Sequence, residues 1–390
     1  MKNKLTLFIL LGNLFIAFLG IGLVIPILPT IMNEFGISGT TVGYLTAAFA
    51  LSQLIVSPFA GKATDRFGRK IMIVLGLFIF AFSELLFGLG KSVEVLFISR
   101  ILGGVSGAFI MPAVTAFIAD ITSNEERPKA LGFMSAAINL GFIIGPGIGG
   151  FLAEIGTRVP FIAAAILGTV AAILSQILLK EPEKKAAIAD AGEHTTPKKK
   201  AGLGRLLTPL YLLPFVLIFT SSFGLAAVES FFSLFVDHKF NFTPKDVAIA
   251  IMGGGILGAI FQLLIFDRMV KQLGEINVIR LSLIYSVVFV LAIALAPNYW
   301  TVMIVCFLVF VGFDLIRPAL TTYLSKIAGD EQGFVGGMNS MFTSLANVMG
   351  PIIGGMLFDQ NMNYPYYFAT ILLLISFILA LFWKQKKALS

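Results

Sequence analysis

The chain has 390 residues, of which 57% are hydrophobic and only 13% are charged, and its mean hydropathy is +0.94. Soluble domains carry about 25% charged residues, so a water-soluble fold of this composition would expose far too much apolar surface. The single cysteine, Cys306, excludes an intrachain disulfide and a cysteine metal cluster, and no metal site is expected.

Long apolar runs alternate with short polar segments along the whole chain. About 20 mainly apolar residues span a bilayer as a helix, and each run is near that length. The first run is too long for the apolar core of a signal peptide, so it is interpreted as the first helix. We therefore predict an all-α integral membrane protein with 12 transmembrane helices, at 5–28, 40–60, 71–90, 95–118, 130–152, 159–179, 208–236, 246–266, 276–296, 300–324, 333–358 and 365–383.

The basic residues are distributed unevenly between the two sides of the predicted spans. Most of the 28 lysines and arginines fall on one side, whereas only Lys91, Arg158, Lys239 and Lys245 fall between spans on the other. The positive-inside rule then places both termini in the cytoplasm, in agreement with an even number of spans. The net charge of +7 reflects this topology, and nucleic acid is not expected as a partner.

One polar, charged stretch, 180–207, divides the chain into two groups of six helices. We predict an N-terminal six-helix bundle at 1–179, a cytoplasmic linker at 180–207 and a C-terminal six-helix bundle at 208–390. Three short segments recur between the halves at offsets of 202 to 206 positions: Gly145–Gly150 as Gly350–Gly355, Pro112–Thr115 as Pro318–Thr321, and Asp65–Arg66 as Asp267–Arg268. The halves are therefore predicted to be parallel repeats, an arrangement that binds substrate near the membrane midplane.

The segment 61–70 carries Gly61, Asp65, Arg66, Gly68 and Arg69, and it is predicted to be a tight cytoplasmic turn between helices two and three. It is either a basic loop of the positive-inside type or a latch that holds one conformational state. Asp120, at the cytoplasmic end of helix four, is predicted to pair with an arginine of this segment in a gating role. The residue order resembles the signature loop of the major facilitator superfamily.

The resemblance to this superfamily covers nearly the whole chain. Helix four carries Arg100, Gly104 and Gly107 at the family's spacing, with Gly103 where the family often has Gln. Helix five resembles the family's antiporter signature, which implies exchange of substrate for an ion; the alternative is plain close packing of helices through small residues. The residues of that signature are Gly141, Gly145, Pro146, Gly149 and Gly150.

Within the superfamily, the chain resembles the drug/proton antiporters of the NorA/Bmr group of Gram-positive multidrug exporters, and most of all the Bmr type. Phe18–Pro26, Gly141–Gly150 and Gly312–Pro318 carry this resemblance. It implies a monomer in the bacterial plasma membrane that exports amphipathic, often cationic drugs and dyes, such as quaternary ammonium compounds and fluoroquinolone-type drugs. The energy source would be the proton gradient, with no cofactor.

Few ionisable residues lie deep in the predicted spans, where each costs about 2.5–3.5 kcal/mol and is a functional candidate by default. The resemblance assigns proton coupling to Glu229 and Asp314, since a carboxyl group can be neutral with a proton and anionic when a cation arrives. Arg317, one turn after Asp314, either tunes its protonation or forms a structural ion pair with it. Arg100 is a proton-relay or gating residue by resemblance, or else an anchor for backbone carbonyls. Glu84 is expected to snorkel or pair at the outer interface.

Aromatic and flexible side chains in the helices that line the family's central cavity are candidates for substrate binding. Aromatic faces attract organic cations, by about 2 kcal/mol when desolvated, and Met adapts to varied ligands. Simple packing explains any one of them equally well. The candidates are Phe18, Ile21, Ile25, Phe49, Gln53, Met111, Asn139, Phe142, Glu229, Phe310, Phe313 and Asn347.

Two other functions stay open at this point. One is a proton-coupled carrier for a defined metabolite such as a polyamine or a sugar. The other is a membrane receptor or enzyme without transport activity. The sequence has no Gly-x-x-x-x-Gly-Lys-Ser/Thr loop for ATP-driven pumping and no intramembrane catalytic or metal cluster, so an enzyme is not expected.

Overall fold

The computed structural model describes residues 4–123, 125–182, 209–328 and 332–383. In these ranges the chain forms α-helices and one short 3₁₀ helix, Ile25–Ile27, without a strand. Twelve spans are long and apolar enough to cross a membrane, which confirms the predicted all-α membrane fold. The helices are α1 (Lys4–Leu23), α2 (Leu28–Phe35), α3 (Gly39–Phe67), α4 (Arg69–Leu89), α5 (Val93–Ile121), α6 (Arg127–Ala153), α7 (Val159–Leu178), α8 (Pro209–Phe240), α9 (Pro244–Leu264), α10 (Phe266–Leu273), α11 (Glu275–Leu295), α12 (Tyr299–Ala328), α13 (Gln332–Gln360) and α14 (Tyr364–Leu381).

The described residues divide into two compact units. The first unit holds those of Met1–Gly36, Leu45–Thr195 and Thr243–Ala248, and the second unit holds those of Ile37–Tyr44, Thr196–Phe242 and Ile249–Ser390. Helices α1 to α7 thus belong almost entirely to the first unit and α8 to α14 to the second. The predicted linker 180–207 lies largely outside the described residues.

The first predicted helix, 5–28, is not continuous. Helix α1 ends at Leu23, and α2 begins after the 3₁₀ helix Ile25–Ile27. Pro26 and Pro29 cause the break because proline has no N–H to donate to a carbonyl of the preceding turn. Ile25, a predicted binding residue of the first helix, therefore lies in the 3₁₀ helix after α1 and not in α1 with Phe18 and Ile21.

The predicted turn at 61–70 is also shorter than expected. Helix α3 continues through Gly61 to Phe67, and α4 begins at Arg69, so Gly68 alone separates the two helices. Its φ of +102° lies in the left-handed region that favours glycine. Most of the segment predicted as a loop is thus helical.

The second unit repeats this turn at Gly274, which separates α10 from α11 with φ of +77°. Gly68 and Gly274 are 206 positions apart, the same offset that relates Pro112 to Pro318. The recurrence of Asp65–Arg66 as Asp267–Arg268, at an offset of 202, is one helical turn out of this register. That match, which the sequence suggested as evidence for repeats, does not join structurally equivalent positions.

Each turn glycine is followed by a charged residue that forms an ion pair. Arg69 Nε donates to Asp120 Oδ2 at 3.0 Å, so the predicted pair between Asp120 and an arginine of the 61–70 segment is present. In the second unit, Glu275 pairs with Lys326. Both members of the second pair lie 206 positions after their counterparts, with the two charges exchanged.

Arg69 is the first residue of α4, and its positive charge lies at the N-terminal end of the helix, where the helix dipole makes a positive charge unfavourable. Glu181 offsets it: its two carboxylate oxygens accept the backbone N–H of Arg69 at 2.6 Å and of Lys70 at 2.8 Å. In α11 the first residue, Glu275, is itself acidic and needs no such partner. The exchanged charges are therefore accommodated differently at the two helix ends.

The repeat of these ion pairs predicts that the second can be rebuilt as a copy of the first. Lys326→Asp alone places a carboxylate beside Glu275, and we expect it to destabilise the purified protein by about 1 kcal/mol because the pair is partly exposed. Glu275→Arg combined with Lys326→Asp should restore part of the lost melting temperature in detergent, because the ion pair forms again although an arginine at the start of α11 opposes the helix dipole. Lys326→Gln, which only removes the pair, is the control. A double variant no more stable than Lys326→Asp would contradict the pairing.

Candidate functional site

Helix α6 approaches α1 closely through the predicted antiporter signature. A Cβ atom added at Gly141 would lie 2.8 Å from the carbonyl oxygen of Phe15, and one at Gly145 would lie 3.1 Å from the Cα of Gly22. Gly149 approaches the backbone of Leu23 in the same way. This is the close packing through small residues that was the structural alternative. Exchange, which the resemblance implies for this segment, stays a prediction.

The other two residues of the signature are also packed. Pro146 lies against Gly22, where an added Cβ would come within 2.7 Å of the proline Cδ. Gly150 approaches Pro244, which belongs to the same unit. All five signature residues therefore contribute to helix packing in the first unit.

A narrow pocket of about 10 Å³, roughly the space of one water molecule, lies in the first unit between α1, α3, α4 and α5. It brings together five of the predicted binding residues: Phe18, Ile21, Phe49, Gln53 and Met111. The remaining lining is Ala17, Phe80, Glu84, Gly103, Ser106, Gly107 and Ile110. The walls are thus mainly aromatic and aliphatic, with few polar groups.

Gly103, the departure from the family pattern, has a physical explanation in this pocket. A Cβ atom at Gly103 would lie 3.0 Å from the Phe49 ring and 3.1 Å from Ser83 Oγ. A glutamine side chain at this position would have to displace Phe49. Because Gly103 has no side chain, the Phe49 ring can pack against the backbone of α5 at this position.

Glu84 is the acidic group of the pocket lining. Only 3% of Glu84 and 6% of Arg100 are exposed, and Arg100 Nη2 lies 3.4 Å from Glu84 Oε1. The expectation that Glu84 pairs is confirmed, but snorkelling is wrong because the carboxyl group is buried. The guanidinium of Arg100 lies 4.3 Å from the centroid of the Phe87 ring. Among the hydrogen bonds of the described residues, Arg100 donates to Glu84 and to no backbone carbonyl.

The remaining predicted binding residues lie outside this pocket. Phe310 and Phe313 are buried by packing within the second unit, where Phe310 lies over Gly254. For these two side chains the structure therefore shows packing, the alternative to a role in substrate binding. Four others are Ile25 in the 3₁₀ helix, Asn139, Phe142 (whose ring centroid is 5.0 Å from that of Phe18) and Asn347, the last three of them exposed, and the twelfth candidate is Glu229 of α8.

The second unit brings together the two carboxylates predicted to couple to protons. Glu229 of α8 interacts electrostatically with Asp314 and Arg317 of α12, and both carboxylate residues are half-buried. Arg317 is exposed, and among the described residues it forms no direct ion pair with Asp314. The structural ion pair considered for Asp314 is therefore absent. Two nearby carboxylates without a bound cation can accept a proton or an organic cation.

Gly258 is a residue of this site that the sequence reasoning missed. Asp314 Oδ2 lies directly against the backbone of α9 at this glycine, and a Cβ atom there would come within 3.0 Å of Asp314 Cγ. Any side chain at position 258 would therefore displace the carboxylate. The signal was the glycine-rich sequence Gly253–Gly258, because such a stretch in a membrane helix permits close approach of a neighbour.

Comparisons with known proteins agree with this architecture. The Major Facilitator Superfamily model matches residues 10–329 and 215–389. The chain is 61% identical to Multidrug resistance protein 1 of Bacillus subtilis (strain 168) over 98% of the chain and 97% of that protein. It is 45% identical to Quinolone resistance protein NorA of Staphylococcus aureus (strain MRSA252), over 98% of the chain and 97% of that protein.

Two solved structures share the fold at low sequence identity. A bacterial homolog of the human lysosomal transporter Spinster, inward-facing and occupied, has a TM-score of 0.83 at 16% identity, covering 97% of this chain and 96% of that one. The nucleoside transporter NupG has a TM-score of 0.78 at 14% identity, covering 96% and 97%. From the family match and the two close relatives, the chain is a multi-pass bacterial plasma-membrane protein that belongs to the major facilitator superfamily.

Proposed function

We propose that the chain is a multidrug exporter that exchanges amphipathic, often cationic compounds for protons by alternating access. The observation that carries the proposal is the juxtaposition of Glu229 and Asp314 without a direct cationic partner. The relatives named multidrug resistance and quinolone resistance proteins support drugs as the substrate class. In the first unit, aromatic side chains of three helices, Phe18, Phe49 and Phe80, line one narrow, mainly apolar pocket.

The coupling follows from competition for negative charge. A cationic compound arriving from the cytoplasm binds the carboxylates of Glu229 and Asp314 and takes the place of a proton. After the transporter opens to the outside, an incoming proton neutralises the carboxylates and weakens their hold on the compound. Arg317, one helical turn after Asp314 in α12, adds a positive charge to the same helix.

The proposal includes a sidedness and an energy source. Both termini face the cytoplasm, as the distribution of basic residues predicts. The proton gradient supplies the energy, without a cofactor, and a monomer completes the cycle.

Glu229→Gln tests the coupling in proteoliposomes loaded with a pH-sensitive dye. The amide keeps the size of the side chain but cannot exchange a proton, so we expect ethidium-driven proton movement to fall at least about tenfold. Glu94→Gln, at an exposed position in the first turn of α5, is the control and should match the parent protein. If exchange of ethidium persists in Glu229→Gln with unchanged pH dependence, the coupling role is wrong.

Gly258→Ala tests the placement of Asp314. The added methyl group would displace the Asp314 carboxylate, so we expect exchange to fall about tenfold, with a melting temperature lowered by the overlap. Gly336→Ala is a matched control, because a Cβ atom at Gly336 of α13 meets no atom within 4 Å. Equal exchange rates in the two variants would contradict the assigned position of Asp314.

A further inference from the structure

An open groove of about 420 Å³ lies on the surface of the first unit between α4 and α7. Both helices are membrane spans, so the groove lies within the part of the chain that crosses the bilayer. Its floor is formed by two buried alanines, Ala81 and Ala165, and its walls are larger, exposed side chains. The wall residues are Phe78, Phe82 and Leu85 of α4 and Ile162, Ile166 and Val170 of α7.

Small residues bring α4 and α7 together beneath the groove. A Cβ atom added at Gly168 would lie 3.3 Å from the Cβ of Ala81, so the backbone of α7 lies directly against α4 there. Small residues permit such close approach of membrane helices, and the larger side chains on either side of the contact leave a groove between them. The corresponding positions of the second unit, at offsets of 206 for α11 and 205 for α14, carry larger side chains. The counterparts of Ala81, Ala165 and Gly168 are Val287, Thr370 and Leu373.

The lining of the groove is hydrocarbon with a single exception. Thr169 is the one polar residue among the described lining residues, and its hydroxyl donates to the carbonyl of Ala165 at 2.8 Å. A polar or charged group placed here would lose its contacts with water and gain no charged partner, which is costly. The occupant is therefore apolar along this stretch.

The size of the groove suits a hydrocarbon chain. An apolar cavity of about 150 Å³ holds a benzene ring, so a groove of this volume accommodates a longer run of carbon atoms. The walls extend over 78–85 and 162–170, which is about 10–12 Å along each helix. A partner helix is itself about 10–12 Å across, so it would rest on the wall side chains and leave the alanine floor uncovered.

A basic residue lies beyond one end of the groove. Lys91 follows the end of α4, six residues after Leu85, and it is exposed. It forms no ion pair within the described part of the chain, whereas Arg158 at the same end pairs with Glu34. A lysine at the end of a span attracts the phosphate of a lipid headgroup. The groove and Lys91 together therefore match the two ends of a phospholipid.

We propose that the groove between α4 and α7 is a lipid site that holds one acyl chain of a bilayer phospholipid, with the phosphate near Lys91. The chain occupies the space that the side chains leave open and so extends the packing of the first unit. Because two walls enclose it, this chain exchanges with bulk lipid more slowly than a chain against an open helix face. The site is separate from drug and proton exchange, and its occupancy does not depend on the proposed function.

Photolabelling of the full-length protein in liposomes tests the site. The probe is a phosphatidylglycerol with a diazirine near the middle of one acyl chain, and mass spectrometry of peptides counts the label. We expect at least about threefold more label on the groove than on the matched lipid-facing positions of the second unit, because the groove buries more of the chain. Equal labelling of the two faces would overturn the proposal. The matched positions, counterparts of Phe82, Ile166 and Val170, are Val288, Ile371 and Ile375.

Two variants of the groove locate the excess label. Ala165→Leu fills the floor, and Phe82→Ala with Ile166→Ala removes exposed walls without disturbing the buried contact between the helices. In both, we expect labelling to fall to the level of the second unit. If Ala165→Leu shows no melting transition, the wall variant decides alone. Excess label retained in a folded groove variant would overturn the proposal.

The matched control removes the same kind of exposed side chain from the second unit. Val288→Ala with Ile371→Ala should keep the full excess at the groove, and its loss in this variant would show that the label does not report the groove. Lys91→Gln should lower the excess about twofold for the phospholipid probe and leave it unchanged for a diacylglycerol with the same photoactivatable chain. An equal response of the two probes would contradict the role of the phosphate.

Other occupants of the groove give different results in the same assay. If ethidium displaces the excess label, the groove belongs to the substrate. If labelling is absent and the protein is a dimer in solution, a second copy covers this face. Either result would overturn the lipid site. Proton exchange is measured separately, so a failure of the proposed function leaves the labelling ratio unaffected.

Discussion

An ionised side chain inside a membrane span costs about 2.5–3.5 kcal/mol, and this cost governs where charge is kept in the molecule. In the first unit an ion pair offsets this cost, since Glu84 and Arg100 are both buried and lie in contact. The second unit keeps Glu229 and Asp314 close together, while Arg317 lies at the surface without a direct pair. One unit is locally neutral and the other holds uncompensated acid, which suits the second to exchange a proton for a cation.

The two units share a backbone frame and differ in the chemistry placed on it. The turn glycines, Gly68 and Gly274, define an offset of 206 positions, and the cytoplasmic ion pairs follow it with exchanged charges. By the same offset Arg100 corresponds to Cys306 and Glu84 to Val290. The duplicated frame therefore fixes the positions of helices and turns, while the ionisable groups within the spans are particular to each unit.

The helix count was predictable because a bilayer demands long apolar segments whose backbone bonds are satisfied within the segment. The break before Pro26 and the one-residue turn at Gly68 could not be predicted in the same way. Apolar runs indicate which segments cross the bilayer, but they do not report local backbone geometry. The ion pair of Asp120 with an arginine of the 61–70 segment was predicted correctly, because a half-buried carboxylate beside an arginine-rich segment has few other partners.

The site was predictable to a lesser extent. Phe18, Phe49 and Met111 do line one pocket, whereas Phe310 and Phe313 are packed, and composition alone does not distinguish these two environments. Gly258 was not predicted because its role is to leave space for the side chain of Asp314. Close approach between helices depends on their mutual packing, which a single sequence reports only weakly.

The central claim is that an organic cation and a proton compete for the same pair of half-buried carboxyl groups, Glu229 and Asp314. It is tested most directly by measuring protons released when tetraphenylphosphonium binds to the purified protein in weakly buffered detergent solution. The account predicts release approaching about one proton per cation bound near neutral pH, with weaker binding as the pH is lowered. Binding of the cation with no proton release, and with the same affinity at every pH, would contradict it.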